Sequence, residues 1–549
     1  MSEEKKSAVK QSFIRGSLTS SAGVFLSKLI GLFYIVPFRS IVGQANMTYY
    51  SVAYDYYTIL LQVCSAGIPF AVAAMIAKYI NKEDYRTAVL VRRLSTVILM
   101  VSGFVMALLF MLCSGFLSRQ ALTGNASAED IRIMQNTFVI LAFALFLVPL
   151  LYSYRGYYQG MKELKMYADS QVIEQFARVV FLLFFGWVLV YVFKMAPVFG
   201  IYAAVLGTSV GTVLAILYFM YFDRKKFKPV LRAAKKQTTK AVSGRDILRE
   251  FITFSIPYLL VSIFGNSQRL INTNFFVSTM TSMGTNIQDA KIILSIIQLN
   301  CDKLTSIPQV LAIGFSAGVV PYMTVSLENR DWKGLNRSIE DCLDTVLYIA
   351  LPVCFSMCVL AGPIYFIMYG AEELEYGTVC LQWSALLGLV TTVTPIISSM
   401  MLTLRFRRES IIYLIVGFVV KAVTFFPLMH LQGYTGAITS SVLCSLTIIF
   451  LSLSKIQNRY NVKYRRILVR MGKMILGCLC MNGAYAILKF VGINAMTGSR
   501  LTSLLELALL GVCGIAAYLF TTSLMRLPQA VFHKKLSTII GRFIPGKHA

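Results

Sequence analysis

Apolar runs of about twenty residues succeed one another along nearly the whole chain, each long enough to cross a bilayer as a helix. Lipid offers the backbone no hydrogen-bond partners, so a chain built of such runs folds as a bundle of spanning helices. Hydrophobic residues make up 57% of the 549 and charged residues 14%, proportions that no soluble domain needs. The expected fold is an all-α polytopic membrane protein with about fourteen transmembrane helices. The first six runs lie near 17–43, 49–80, 94–117, 134–158, 171–193 and 197–222. Six more follow near 251–280, 291–327, 343–369, 377–404, 411–430 and 436–455, and the last two near 473–493 and 503–525.

A net charge of +27 would suggest nucleic acid if its carriers formed a groove, but most of them fall in the short loops after even-numbered runs. Lys82, Arg86, Arg92 and Arg93 form one such group, Lys162 and Lys165 another. Arg330, Lys333 and Arg337, then Arg405, Arg407 and Arg408, then Arg459, Lys463, Arg465, Arg466 and Arg470 continue the pattern. Loops after odd-numbered runs, at 44–48, 371–377 and 431–436, are poor in Lys and Arg. The positive-inside rule then places both termini in the cytoplasm of a multi-pass membrane protein, with membrane lipids around it and no nucleic-acid partner. The basic N-terminus lacks a short apolar core followed by a small-residue cleavage site, so no removed signal peptide is expected. Eleven cysteines, mostly inside apolar runs, read as small buried hydrophobes.

The basic stretch 223–250 is the strongest break in composition and reads as a linker. It divides a six-helix half at 1–222 from a second at 251–458, followed by two extra helices at 459–526 and a basic amphipathic tail at 527–549. Ser65–Pro69 (SAGIP) in the second run and Ser316–Pro321 (SAGVVP) in the eighth occupy matching places in the two halves. Ser255, Ser262, Asn266, Arg269 and Thr273 also repeat, in run seven, the single-cation polar stripe of run one. Two copies in the same direction imply a pseudo-two-fold axis along the membrane normal, with a cavity between halves. Segments 81–95, 161–170 and 328–340 and the tail 530–545 mix apolar and charged residues and read as interfacial helices. Tyr49, Tyr50, Tyr54, Tyr56 and Tyr57 fit an aromatic belt.

No enzyme constellation is present in the sequence. His430, His533 and His548 are scattered, no glycine-rich loop precedes a phosphate-binding lysine, and Glu372, Glu373 and Glu375 form only a cluster on a short loop. The expectation is a transporter without an ATPase motif, a catalytic residue, a metal site or a bound cofactor. Charges inside the runs remain. In Ser17–Gly43, Lys28 and Arg39 are eleven residues apart, close to three turns, and share one face with Ser17, Ser20, Ser21, Ser27 and Gly31. Lipid solvates no such face, so it is expected to line a cationic, water-accessible cavity that holds an anion too polar to cross alone.

Arg39 is read either as part of that cavity or as snorkelling outward with Asp55 as its partner. Asp302 and Lys303 are read as interfacial or as neutralising one another. Glu174 and Arg178, spaced i,i+4, read as a structural pair. Lys28, Arg269 and Lys421 have no carboxylate nearby in sequence and are assigned to the cavity. The expected anion-binding set is thus Lys28, Arg39, Arg269, Lys303 and Lys421, with Asp55 and Asp302 as gating or charge partners. Converging cations suit a phosphate or pyrophosphate group that must be released on the far side, so alternating access is expected. Coupling to the membrane potential or to a monovalent cation is left open.

The segments FIRGSLTSSAGVFLSKLIGLFYIVPFRSIVG, SVAYDYYTILLQVCSAGIPFAVAAMIAKY, YRGYYQG, QVIEQFARV and CDKLTSIPQVLAIGFSAGVVPYMTVS resemble the MurJ, SpoVB and YtgP branch of the MOP flippase superfamily. The likeness runs from about Phe13 to Met525. It implies a fourteen-helix flippase of the bacterial cell membrane, working as a monomer, for undecaprenyl-pyrophosphate-linked intermediates. The favoured cargo is the peptidoglycan precursor lipid II, with capsule-type or teichoic-type units as the alternative and a multidrug antiporter of the same fold further behind. In that branch Lys28 stands at the place of an essential arginine, Asp302 and Lys303 at that of an Asp-Arg pair, and Arg269 at a cationic position of the seventh span. Tyr34 replaces a second arginine, and the arginines of the second span are absent, which shifts the expectation toward the YtgP and SpoVB type. The two last spans, with Gly477, Gly483, Gly511 and Gly514, would supply a groove for the lipid tail.

Overall fold

Small residues decide how closely the first helices pack. In the computed structural model of the chain the described residues are 26–27, 30–31, 34–65, 68–122, 127–161, 163–238, 241–309, 323, 326–327, 330–496 and 499–532. They contain no strand, and nine helical stretches among them are long and apolar enough to cross a membrane. One of these, Arg407–Tyr460, is a pair of helices joined by a one-turn 3-10 segment, Gly433–Thr435. The described residues form two compact units, Met1–Asn300 and Cys301–Ala549.

The first unit contains α1 (Ile35–Val42), α2 (Gln44–Ser65), α3 (Ile68–Asn81), α4 (Tyr85–Leu112), α5 (Ser114–Leu122), α6 (Ala128–Gly160), α7 (Leu164–Trp187), α8 (Val198–Lys236), α9 (Gly244–Ser282) and α10 (Ile287–Ser295). Asp84 accepts from Thr87 N at 3.1 Å and caps α4, and Ser127 with Asp130 forms a capping box at the start of α6. Gly156 and Gly160 bring α6 against α3: a Cβ there would lie 2.8 Å from the Pro69 carbonyl oxygen and 2.7 Å from that of Ala73. Gly207 and Gly211 do the same for α8 on α7, where a Cβ at Gly211 would meet the Glu174 carbonyl oxygen at 2.5 Å. The YRGYYQG motif is thus a packing device, and it also aims Arg155 at α7.

The stretch expected as a linker is largely helical. α8 runs 39 residues without a break, about 58 Å at 1.5 Å per residue, and 223–236 are its last turns. Phe227, Val230, Leu231 and Ala234 pack on Ile80, Tyr85, Val89 and Met161. Arg92 pairs with Asp223 and stacks over Phe227 and Tyr157 at 3.9 and 4.4 Å, and Tyr158 donates to Asp223 at 2.5 Å. Segments 85–95, 164–170 and 332–340, expected as separate interfacial helices, are instead the first turns of long spanning helices.

The second unit begins with helical residues 302–309 and continues through α11 (Trp332–Val359), α12 (Ala361–Tyr369), α13 (Leu374–Thr403), α14 (Arg407–Gln432), α15 (Gly436–Tyr460), α16 (Arg465–Phe490), α17 (Arg500–Leu524) and α18 (Leu527–Phe532). Buried residues of α11, α13 and α15 form one core, including Ile339, Ile397 and Ile456. Met474, Met481 and Tyr485 of α16 with Leu510 and Tyr518 of α17 form another. Arg470 closes the basic end of α16 on the buried carboxylate of Asp344. All eleven cysteines are free thiols. Lys28, residues 66–67 of the first Ser-Ala-Gly motif, the second motif at 316–321, and the tail beyond residue 532 lie outside the described residues.

Candidate functional site

Helix α2 carries polar groups toward two neighbours in the first unit, α7 and α9. Toward α9, the Asp55 carboxylate lies 2.7 Å from the Arg269 guanidinium. Arg269 also donates to the Gln298 carbonyl at 3.0 Å, and Gln298 Nε2 donates to the Thr273 hydroxyl at 3.0 Å. The Asp55 side chain is 4% exposed and that of Arg269 39%. A carboxylate buried this deeply in an apolar bundle needs its cation, whereas the cation keeps an open edge. Arg269, assigned to the cavity as a cation without a carboxylate, is therefore half of an ion pair, formed across helices where sequence distance hid it.

Toward α7 the arrangement also departs from the expected one. Glu174 pairs with Arg155 of α6 at 2.6 Å, and Arg155 Nε donates to the Ser170 hydroxyl at 3.1 Å. Arg178 turns the other way, donating to the Tyr50 hydroxyl at 2.6 Å and lying 4.6 Å over the ring of Tyr54. The i,i+4 pairing of Glu174 with Arg178 does not form, because each side chain finds a better partner on a neighbouring helix. Tyr50 and Tyr34 hydroxyls are 3.0 Å apart, and Tyr54 meets Thr208 of α8 at 3.1 Å. The tyrosines expected as an aromatic belt are inside the protein: Tyr49, Tyr50, Tyr56 and Tyr57 are all buried. Their hydroxyls hold polar partners of the bundle, including Tyr56 to Asn274 at 2.7 Å and Tyr49 to Asp130.

Near the α2 start, Gln44 donates to Ser295 at 3.0 Å and Thr48 to the Lys291 carbonyl at 3.2 Å, tying α10 over that end. Arg39 on α1 is buried, at 5% exposure. In the second unit Asp302 and Lys303 share the partly exposed face of 302–309, whose other face packs Thr305 against Gly388 of α13. Lys421 of α14 is enclosed, with no exposed surface. Its ammonium donates to the Ala437 carbonyl at 2.7 Å and to the Ser440 and Ser441 hydroxyls at 2.8 Å each, all on α15. Lys421 thus joins two helices instead of facing an open space.

Residues 13–326 match the model of the family described as polysaccharide biosynthesis protein, more than half of the chain. The chain belongs to that family. The Lipid II flippase MurJ of Bacillus subtilis is 26% identical to this chain over 549 residues, covering 98% of this chain and 99% of its own. The uncharacterized membrane protein YabM of the same organism is 24% identical over 365 residues, 66% of this chain and 64% of its own. Among solved structures, a multidrug resistance MATE family transporter of the MOP superfamily, captured inward-facing, superposes with a TM-score of 0.64 at 15% identity. It covers 82% of this chain and 94% of its own, which shows the MOP transporter fold for a multi-pass membrane protein of this family.

Proposed function

We propose that this chain is a flippase that carries a lipid-linked saccharide across the bacterial cell membrane, with lipid II the favoured cargo. The observation that carries the reading is the end-to-end correspondence with the Lipid II flippase MurJ of Bacillus subtilis. The charges of the first unit support it. Arg178 and Arg269 lie on helices flanking α2, within otherwise apolar spans, and lipid gives such cations no reason to be there. A diphosphate joining a polyprenyl tail to a sugar is an anion of the size and charge they would hold. Transport proceeds by alternating access, from the cytoplasmic to the outer leaflet, without ATP hydrolysis by this chain, and both termini are cytoplasmic. An outside-positive membrane potential favours outward movement of an anion by about 2.3 kcal/mol per charge per 100 mV, and the potential is the proposed driving force. The family description also fits another lipid-linked repeat unit as cargo.

The test is complementation. Expression of this chain in cells depleted of their own lipid II flippase restores growth and outer-leaflet lipid II. Normal expression without rescue, together with rescue of a polymer-export mutant, moves the cargo to the other saccharide. Rescue of neither overturns the proposal.

A further inference from the structure

We propose that Arg178 is a substrate-binding cation, its guanidinium taking a phosphate oxygen of the lipid-linked saccharide's diphosphate. The inference rests on the flippase reading and adds a residue to it. Of the four cations Arg155, Arg178, Arg269 and Lys291, three have a carboxylate within 4 Å: Glu174 at 2.6 Å, Asp55 at 2.7 Å and Asp130 at 3.9 Å, respectively. Arg178 has none among the described residues, and Arg155 holds the one carboxylate that its own helix offers a turn away.

What surrounds Arg178 is neutral and directional. Tyr50 accepts one Nη2 hydrogen, the Tyr54 ring faces the guanidinium plane, and the Nε–H is buried without an acceptor. Phenol oxygens and an aromatic face orient a guanidinium and soften its desolvation, but they do not neutralise it. The backbone beneath is fixed as well, since Gly207 and Gly211 let α8 lie directly against α7 at Glu174 and Arg178. A positioned, partly exposed cation with no carboxylate partner among the described residues fits an arriving oxyanion, and arginine's planar fork matches phosphate.

The experiment compares binding of two ligands to the full-length protein in nanodiscs: a diphosphate-linked lipid saccharide and its analogue with a neutral linkage. Arg178→Gln lowers affinity for the diphosphate ligand by about tenfold or more, the range of one lost charged hydrogen bond, and leaves the neutral analogue within about twofold. Arg178→Lys, which keeps the charge without the fork, falls between. The double variant Tyr34→Arg/Arg178→Gln, returning a cation to the same hydroxyl chain, recovers part of the loss. Unchanged diphosphate binding in Arg178→Gln, or equal losses for both ligands, overturns the inference. Should Arg178→Gln not fold, Tyr50→Phe decides: a several-fold loss confined to the diphosphate ligand supports it, and no loss or a loss common to both ligands overturns it. Wild-type protein that binds neither ligand would instead remove the flippase reading itself.

Discussion

Asp55 on α2 and Arg269 on α9 meet at 2.7 Å, one nearly sealed from solvent and the other with an open edge. Removing one member of such a pair takes a close counter-charge from the other. Arg269→Gln is expected to lower stability by about 3–5 kcal/mol because it withdraws the guanidinium 2.7 Å from the buried Asp55 carboxylate. Asp55→Asn/Arg269→Gln should recover most of that loss. A double-mutant cycle on thermal unfolding of purified protein measures the coupling. Additive single effects would show that the two groups do not depend on one another.

Lys421 invites the opposite expectation. Ser440 and Ser441 also lie within hydrogen-bonding distance of the Ala437 carbonyl of their own helix, at 2.9 and 3.1 Å. Replacing the ammonium with an apolar chain of similar length therefore leaves those hydroxyls satisfied. Lys421→Met is expected to fold with an unchanged or raised melting temperature, since a buried charge has been exchanged for well-packed apolar surface. A drop of several degrees would mean that the three hydrogen bonds from Lys421 hold α14 to α15 more firmly than its burial weakens them.

The close approach of α8 to α7 sets a third expectation. A methyl group at Gly211 would collide with backbone, namely the Glu174 carbonyl, and backbone gives way less readily than a side-chain tip. Gly211→Ala should destabilise by about 1–3 kcal/mol, whereas Gly483→Ala, with open space around its Cβ position, should change little. Detergent-solubilised thermal melts of the two variants give the comparison.

At the basic end, Asp84 both caps α4 and accepts from Gln237 Nε2 at 3.1 Å, where α8 has just ended. Its partial burial acts to raise the carboxyl pKa, but hydrogen bonds from Thr87 and Gln237 outweigh that and hold it below the usual carboxylate value. A depressed folded pKa means that the stabilisation is complete above the unfolded value, near pH 4, and is lost as pH falls through the folded one. Asp84→Ala is expected to cost about 1 kcal/mol at neutral pH. It should also increase tryptic cleavage at Lys235 and Lys236, and the difference from wild type should vanish in acid.

Hydropathy and the placement of Lys and Arg were enough to read a polytopic helical bundle, because those patterns are local and answer to lipid and water directly. The partners of its charges were not legible. Arg269 finds Asp55 through tertiary packing that spacing does not encode, and Glu174 prefers Arg155 of the adjacent helix over Arg178 of its own. The 223–236 segment looked like a linker because hydropathy separates lipid from water and not helix from coil. Its i,i+3 and i,i+4 apolar set, Phe227, Val230, Leu231 and Ala234, was the available sign. Tyr50 and Tyr54 looked interfacial because tyrosine serves both interfaces and buried polar clusters.

Helix α8 has a consequence for observing this molecule at work. A hydrocarbon layer is about 30 Å thick, so a continuous rod of nearly twice that length carries its last turns into water while its middle lies against α7. Any tilt of the α7–α8 pair during a transport cycle would be magnified at the far tip, where Lys228 and Lys235 are solvent-facing. Probes attached there would register from the aqueous side a rearrangement that happens in lipid.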